Sequence, residues 1–205
     1  MTMARKRVGI LISGRGSNMA SLIDAAQAKD YPAEIALVVS NRPDAKGLEI
    51  AKAKGIATAI IDHTKFPSRE AFDNALQEKL AAAKIEFLCL AGFMRVLTDH
   101  FVKSWHGRIL NVHPSLLPDF KGVDTHKRVL EAGVKTHGVT VHFVVPELDS
   151  GPIVMQAEVP VLAGDDEKRL AARVLQAEHK IYPAALKLLA EDKLIIVGER
   201  VIVAT

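Results

Sequence analysis

This sequence is poor in cysteine and has no long apolar run, and each absence excludes a class of protein. Among its 205 residues there is one cysteine, Cys89, inside the apolar run FLCLAG. A lone cysteine cannot form an internal disulfide and is expected to be a small buried side chain. No apolar run approaches the roughly 18 residues that a membrane span requires, and the chain enters its first predicted strand without a signal-peptide pattern. We therefore expect a cytoplasmic protein with no membrane partner.

The net charge is small, and long runs of one charge sign are also lacking. The chain has 27 Lys and Arg against 24 Asp and Glu, a net charge of +3, and its one short basic run is ARKR. Without a dense basic block, a nucleic-acid partner is not expected. The eight histidines form no His-x-x-x-His pair, and a Cys-x-x-Cys pair is absent, so no metal site is predicted.

Strand and helix patterns alternate along the first half and predict an α/β fold. The predicted strands are RVGILI, EIALVVS, ATAIID, FLCLAG and RILNVH. Segments of helical spacing follow the first three of them, which favours right-handed βαβ units and a mostly parallel central sheet in the N-terminal half. Ser68 is the predicted N-cap of the third of these helices.

The pattern changes after Pro118. A short helix is predicted up to Gly133, and the strands HGVTVHFVV and PIVMQAEVPV are joined so briefly that they should be antiparallel. A helix from Asp165 to Leu189 is expected to break or kink at Pro183, and a terminal hairpin follows. The simplest prediction is one domain over residues 1–205, with halves of about 1–105 and 106–205.

The segment SGRGSN, between the first strand and the first helix, is a candidate phosphate site. Glycines allow close backbone approach, and a helix N-terminus presents free N–H groups. A dinucleotide fingerprint would need Gly or Ala at Met19 and an acid at the end of the second strand, and the Gly-Lys of a P-loop is absent. NAD and ATP are therefore disfavoured. Two interpretations remain, a single phosphate held by Gly16, Ser17 and Asn18, or a plain tight turn that caps the helix.

The segment RILNVHPSLLP places two polar side chains at the end of a buried strand. Asn111 and His113 share one face because strand residues two apart point the same way, and Pro114 should end the pairing. They would then lie at the carboxyl edge of a parallel sheet, where open α/β sheets bind ligands. The amide can donate to a developing oxyanion, and the imidazole can move a proton or stabilise the same oxygen.

Asp149, in the turn PELDSG, is the best candidate for a carboxylate that orients His113. The alternatives are that Asp149 only forms the turn and that Asn111 and His113 bond to neighbouring backbone. Ser115 lacks the flanking glycines of a nucleophile elbow. Together these residues predict acyl-type transfer without a metal or a covalent nucleophile.

Five motifs carry a family resemblance: LISGRGSN, LAGFMRVL, GRILNVHPSLLPDFKG, THGVTVHFVVPELDSGPIVMQ and RVLQAEHKIYP. From about residue 7 to about residue 190 the chain resembles the phosphoribosylglycinamide formyltransferases, the folate-dependent transferases of purine biosynthesis. The resemblance implies a single-domain, Rossmann-like formyltransferase fold that takes 10-formyltetrahydrofolate as co-substrate and no metal. It also implies small-molecule substrates and a monomer or homodimer.

The resemblance also implies residue roles. Catalysis would rest on Asn111, His113 and Asp149, with Thr140 and His142 in support. The ribonucleotide would be bound by Gly16, Ser17, Asn18 and Glu178. The folate would be bound by Arg69, Met94, Arg95, Val96, Leu97, Asn111, Val145, Pro146, Glu147, Leu148 and Asp149. One departure is Asp124, where some members of the family carry a histidine, in a loop expected to move over the site, so the pH response is expected to differ.

Three alternatives are weaker. Methionyl-tRNA formyltransferases carry an added C-terminal domain for which 205 residues leave no room. Formyltetrahydrofolate deformylases hydrolyse the same donor and usually carry an N-terminal regulatory domain, which is not expected here. A non-catalytic module that binds nucleotide phosphate would keep GRGSN but has no use for the Asn, His and Asp set.

Overall fold

The computed structural model describes residues 4–204, so Met1–Met3 and Thr205 of the predicted domain lie outside the described residues. The chain forms two compact units, Met1–Leu110 and Asn111–Thr205. The division falls inside the fifth strand, close to the predicted boundary between the two halves. One domain over the whole chain stays a prediction.

The first unit is built from parallel strands and helices, as predicted. Strand β1 pairs in parallel with β2 and β4, and β2 pairs in parallel with β3. Cys89 is fully buried in β4, and Ser68 caps α3 by accepting the N–H of Ala71 at 3.1 Å. The elements are β1 Lys6–Ile12, α1 Ser17–Ala26, β2 Ala33–Ser40, α2 Gly47–Ala53, β3 Thr58–Ile60, a 3₁₀ turn His63–Lys65, α3 Arg69–Ala82, β4 Phe87–Leu90, α4 Asp99–Ser104 and the start of β5 Ile109–His113.

Helix α4 was not predicted from the sequence. It has six residues, too few for a periodic apolar pattern to emerge. It begins because the hydroxyl of Thr98 accepts the N–H of Phe101 at 3.3 Å, and Thr98 is in turn held by two hydrogen bonds to Asp73 at 2.7 Å. A short helix with a capped N-terminus depends on such contacts more than on its own propensity.

The second unit contains the antiparallel strands that the sequence predicts. Strand β6 pairs antiparallel with β7, and β8 with β9. Helix α6 packs on β6 and β7 through a buried face that includes Leu170, Val174 and Tyr182. The elements are the end of β5, α5 Thr125–Ala132, β6 Thr136–Phe143, β7 Ile153–Pro160, α6 Glu167–Ala190, β8 Leu194–Val197 and β9 Arg200–Val203.

The last long helix was expected to break or kink at Pro183, and it does not break there. Helix α6 runs for 24 residues through Pro183, although proline has no N–H to donate to the carbonyl of His179. The buried residues Ile181, Tyr182, Ala185 and Leu186 lie on both sides of the proline. Packing of this apolar face therefore offsets the loss of one helical hydrogen bond. No helix of residues 4–204 is long and apolar enough to cross a bilayer.

Candidate active site

Strand β5 ends at His113, one residue before Pro114, and carries Asn111 and His113 on one side. His113 is 5% exposed, and its carbonyl accepts the N–H of Ser115 at 2.9 Å. A strand that stops before a proline therefore presents an amide and an imidazole from its last three residues.

Both ring nitrogens of His113 face an acceptor. Nδ1 lies 3.5 Å from Oδ2 of Asp149, whose side chain is 8% exposed, and Nε2 lies 3.0 Å from the carbonyl oxygen of Phe120. The same carboxylate oxygen accepts the N–H of Gly122 at 2.8 Å. A ring with an acceptor at each nitrogen is fully bonded when both nitrogens carry protons.

The turn that carries Asp149 is pressed against the end of β6. A Cβ at Gly151 would lie 1.7 Å from the carbonyl oxygen of Phe143, so only glycine fits there. Asp149 itself has φ of 48°, a left-handed conformation that Asp and Asn tolerate better than most residues. The sequence DSG therefore helps to place the carboxylate through the backbone conformation of the turn.

His142, from β6, fixes the amide of Asn111. Its Nδ1 lies 2.8 Å from the carbonyl oxygen of Phe143, and its Nε2 lies 3.2 Å from Nδ2 of Asn111. Burial lowers the pKa of His142 despite the opposing effects of that carbonyl and of Asp149. The neutral ring donates from Nδ1 and accepts an amide hydrogen at Nε2. Its 3.9 Å approach to Asp149 is therefore not an ion pair.

Thr140 and Gln156 hold the chain that follows His113. The Thr140 hydroxyl donates to the carbonyl of Ser115 at 2.7 Å and accepts the N–H of Leu117 at 3.0 Å. Gln156 donates to Thr140 Oγ1 at 2.8 Å and to the Leu117 carbonyl at 2.9 Å. Gln156 was not predicted, because its place opposite Thr140 in the β6–β7 register becomes visible only once the strands are paired.

A segment of residues 119–124, here called the covering loop, supplies backbone groups to the site. It provides the Phe120 carbonyl and the Gly122 N–H described above, and Lys121 Nζ lies 2.6 Å from Ser150 Oγ. Phe120 and Asp124 have φ of 54° and 56°. Sequence reasoning missed Phe120 and Gly122 because backbone donors and acceptors leave no signature in residue type.

The predicted phosphate loop lies in the first unit, at the N-terminus of α1. Gly16 is the N-cap residue with φ of 76°, and a Cβ there would lie 2.7 Å from Cα of Gly47. Ser17 and Asn18 form the first turn of the helix. The first loop is also tied to residue 94, because Ser13 Oγ accepts the N–H of Met94 at 2.7 Å.

The residues predicted to bind folate lie in both units. In the first unit, Met94 and Val96 are 74% and 57% exposed while Leu97 is buried, and Arg69 begins α3. Also in this unit, the Arg95 guanidinium lies 4.5 Å from the ring centre of Phe72. In the second unit, Leu148 is 63% exposed in the turn that also contains Val145, Pro146, Glu147 and Asp149.

Glu178, predicted to bind the ribonucleotide, is buried on α6 at 7% exposure. Two pairs lie in the second unit, Asn111 with His142 and His113 with Asp149, and His142 Nε2 approaches Asp149 Oδ1 to 3.9 Å. Among residues 4–204, no group of three or more His, Cys, Asp or Glu side chains could hold a metal ion.

A second histidine pair lies in the same unit. His126 Nδ1 is 3.1 Å from His137 Nε2, and the two rings meet edge to face. Burial lowers the pKa of both rings, and burial together with His126 and His113 lowers the pKa of His137 to about 4. One ring donates and the other accepts, so the pair is stable only while at least one ring is neutral. No sequence pattern predicts this pair, because the two histidines lie eleven residues apart and meet only in the folded chain.

Acid is expected to destabilise the second unit through His137. Its pKa is about 4 when folded and 6.5 when unfolded, so the unfolded chain binds the proton first. The contribution of His137 to the free energy of unfolding is fully present above pH 6.5. It is lost as the pH falls toward 4, which lowers the free energy of unfolding by about 2–3 kcal/mol. Urea unfolding between pH 7 and pH 4 should show this loss, and His137→Gln should reduce it. His106→Gln, at an exposed histidine, is the control. If the free energy of unfolding of His137→Gln fell with pH as steeply as that of the wild type, His137 would not be the source of the loss.

Comparisons with known proteins place the chain among transferases. A family model described as Formyl transferase matches residues 6–186. Phosphoribosylglycinamide formyltransferase of Escherichia coli (strain K12) is 46% identical over 185 residues, which cover 90% of this chain and 87% of the relative. The crystal structure of glycinamide ribonucleotide transformylase 1 from Symbiobacterium toebii has a TM-score of 0.96 and 45% identity, covering 98% of this chain and 95% of that one.

Longer relatives also match. The trifunctional purine biosynthetic protein adenosine-3 of Drosophila pseudoobscura pseudoobscura is 50% identical over 201 residues. That alignment covers 97% of this chain but only 15% of the relative. The chain therefore corresponds to one segment of a much longer protein in such organisms.

Proposed function

This chain belongs to the formyl transferase family, and from that membership we propose that it transfers a formyl group from 10-formyltetrahydrofolate to the amino group of 5-phosphoribosylglycinamide. The products are formylglycinamide ribonucleotide and tetrahydrofolate, a step of de novo purine biosynthesis. The observation that carries the proposal is the pairing of His113 with Asp149, in which Nδ1 of the imidazole lies 3.5 Å from the carboxylate, beside Asn111 on the same strand.

The proposed chemistry is direct transfer between two bound molecules. The amine attacks the formyl carbon, and the electron pair of the C=O bond moves onto the oxygen. Asn111, with one amide hydrogen bonded to His142, donates the second to that oxygen, and His113 donates from Nε2. One well-placed donor of this kind contributes about 3–4 kcal/mol to a transition state.

His113 reaches the formyl oxygen only if its present partner gives way. Nε2 now lies 3.0 Å from the Phe120 carbonyl, so the formyl oxygen replaces that carbonyl when the donor binds. Asp149 keeps Nδ1 protonated and the ring oriented. The attacking nitrogen then loses a proton, the leaving folate nitrogen gains one through His113 and water, and the C–N bond of the donor breaks.

Two sets of residues outside the catalytic pair are proposed to bind the substrates, one for the ribonucleotide and one for the folate. The ribonucleotide phosphate binds at Gly16, Ser17 and Asn18, which is supported by the free N–H groups of the α1 N-terminus, and Glu178 contacts the ribonucleotide. In the first unit, Met94–Leu97 and Arg69 are proposed as folate contacts. In the second unit, Val145–Asp149 are proposed as folate contacts in their own right. The exposed apolar side chains of both segments support this, because flat rings bind apolar walls edged by backbone polar groups.

The setting is proposed as the cytoplasm, in keeping with a single, buried cysteine and hence no internal disulfide. The partners are proposed as small molecules, with the protein a monomer or homodimer. No metal takes part in the proposed reaction.

A donor-consumption assay tests the proposed function. Purified protein is mixed with 10-formyltetrahydrofolate, with and without 5-phosphoribosylglycinamide, and both folate and ribonucleotide products are measured. We expect tetrahydrofolate to form only when the amine is present, in a one-to-one ratio with formylglycinamide ribonucleotide. Loss of the formyl group to formate without the amine would indicate a deformylase. Binding of the ribonucleotide without any turnover would indicate a non-catalytic binding module.

A further inference from the structure

The covering loop is held from outside the site by Arg128, in the first turn of α5. Its Nη1 donates to the carbonyl of Lys121 at 2.6 Å and to the carbonyl of Val123 at 3.3 Å. Its guanidinium carbon lies 5.6 Å from the ring centre of Phe120. One side chain therefore contacts three residues of a six-residue segment.

The covering loop needs an external support for its observed conformation. Phe120 and Asp124 both have positive φ, which is unfavourable for residues with a Cβ and persists only where the surroundings hold it. Asp124 is the N-cap of α5 but its side chain makes no capping hydrogen bond. At the start of the covering loop, Asp119 is held by Ser115 and Leu116, and the Lys121 side chain reaches Ser150. Between Lys121 and Val123 the backbone is held from outside the site by Arg128.

We propose that Arg128 is a positioning residue for the reaction. By holding the carbonyls of Lys121 and Val123, it fixes the Gly122 N–H that lies between them, and that N–H donates to Asp149 at 2.8 Å. The guanidinium acts on Asp149 through the backbone of the loop, and through Asp149 on His113. The expected effect of Arg128 on turnover rests on the proposed function, whereas its expected effect on the order of the covering loop does not.

The geometry requires an arginine rather than any cation. A guanidinium is planar and offers several N–H donors, so it can serve two carbonyls and lie over a ring at once. A lysine ammonium can replace one of these contacts. The neighbouring Lys127 shows the contrast, since it is exposed and lies 3.8 Å from Glu131 one turn further along α5.

The test compares Arg128→Gln, Arg128→Lys and the control Lys127→Gln, which removes the same charge one residue away. Hydrogen–deuterium exchange of peptides covering residues 119–124 is measured in each protein without substrates. We expect exchange at Gly122 to rise about tenfold in Arg128→Gln, less in Arg128→Lys, and not in Lys127→Gln. Steady-state kinetics should show kcat reduced about five- to tenfold in Arg128→Gln with each KM changed less than twofold, and partial recovery in Arg128→Lys.

The two readouts separate the possible failures. Unchanged exchange in Arg128→Gln would overturn the proposal outright. Faster exchange with unchanged or higher kcat would also overturn it, because the loop would then not position the catalytic pair for transfer. If the wild-type protein transfers no formyl group, the proposed function is wrong. The exchange result would then still decide whether Arg128 orders the loop. Because Arg128 is exposed, we expect all three variants to keep the wild-type melting temperature, and this is checked first.

Discussion

His113→Ala is expected to lower the rate of formyl transfer by about a thousandfold or more. The substitution removes one donor to the formyl oxygen and the group that handles the proton. Each effect alone is worth about 10²–10⁴-fold in enzymes, and the two are not additive when one side chain serves both. Substrate binding should change little, because the ring is 5% exposed and most of each substrate is bound by other residues in our proposal.

The measurement is single-turnover transfer at saturating substrates, so that product release does not hide the chemical step. The variant should fold, with a loss of about 1–3 kcal/mol for the cavity left by the ring, which thermal unfolding will report. His113→Asn, which keeps a donor but cannot move a proton near neutral pH, should be nearly as slow. His106→Ala, an exposed histidine, is the control. A His113→Ala protein with turnover close to wild type would show that the imidazole is not part of the reaction.

Much of the fold could be predicted because hydrophobic periodicity is a local signal. The five strands up to His113, the antiparallel pair β6–β7 and the terminal hairpin all follow from apolar runs and turn residues, and the structure confirms them. The failures occurred where tertiary contacts override local preference. Helix α4 depends on Asp73, which is distant in sequence and holds its N-cap, and α6 continues through Pro183 because its buried face is packed on both sides.

In the candidate site too, residues marked by a local sequence pattern could be predicted, and those that depend on tertiary contacts could not. Asn111 and His113 could be found because a strand that ends at proline has a defined carboxyl edge, and Asp149 because the turn that follows β6 is short. That His142 orients Asn111 could not be predicted, since strand alternation places His142 on a face but does not name its partner. The role of the covering loop was still harder to predict from the sequence. Its contribution to the site comes from the Phe120 carbonyl and the Gly122 N–H, which every residue of the chain except proline also possesses.

Asp149→Asn is expected to lower kcat by about 10²–10³-fold while the turn keeps its shape. Asparagine has the same size and tolerates the left-handed backbone at φ of 48° as well as aspartate does, and its oxygen can still accept the Gly122 N–H. What is lost is the negative charge facing Nδ1 of His113 at 3.5 Å. The oxygen that accepts the Gly122 N–H is also the atom that faces Nδ1, so both contacts can remain. The doubly protonated ring on which the proposed step depends nevertheless loses its countercharge.

Steady-state kcat and KM for both substrates are the measurement, with Glu158→Gln, an exposed carboxylate on β7, as the control for loss of one negative charge. Asp149→Ala is a poorer probe, because alanine also disfavours the left-handed backbone and would mix a folding effect with a chemical one. An Asp149→Asn protein with wild-type kcat would show that the carboxylate charge is not needed.

The double variant decides whether Asp149 acts through His113 or by itself. If the carboxylate serves only to hold and charge the imidazole, then adding Asp149→Asn to His113→Ala should slow transfer no further, because the group it acts on is already gone. If the carboxylate also takes a proton from the attacking amine directly, the double variant should be slower than either single one by a further factor of about ten or more. The 8% exposure of the Asp149 side chain and its two contacts, to His113 and to the Gly122 N–H, favour the first outcome. A clearly additive loss would move the proton transfer from His113 to Asp149 and require a different path for the proton to the leaving nitrogen.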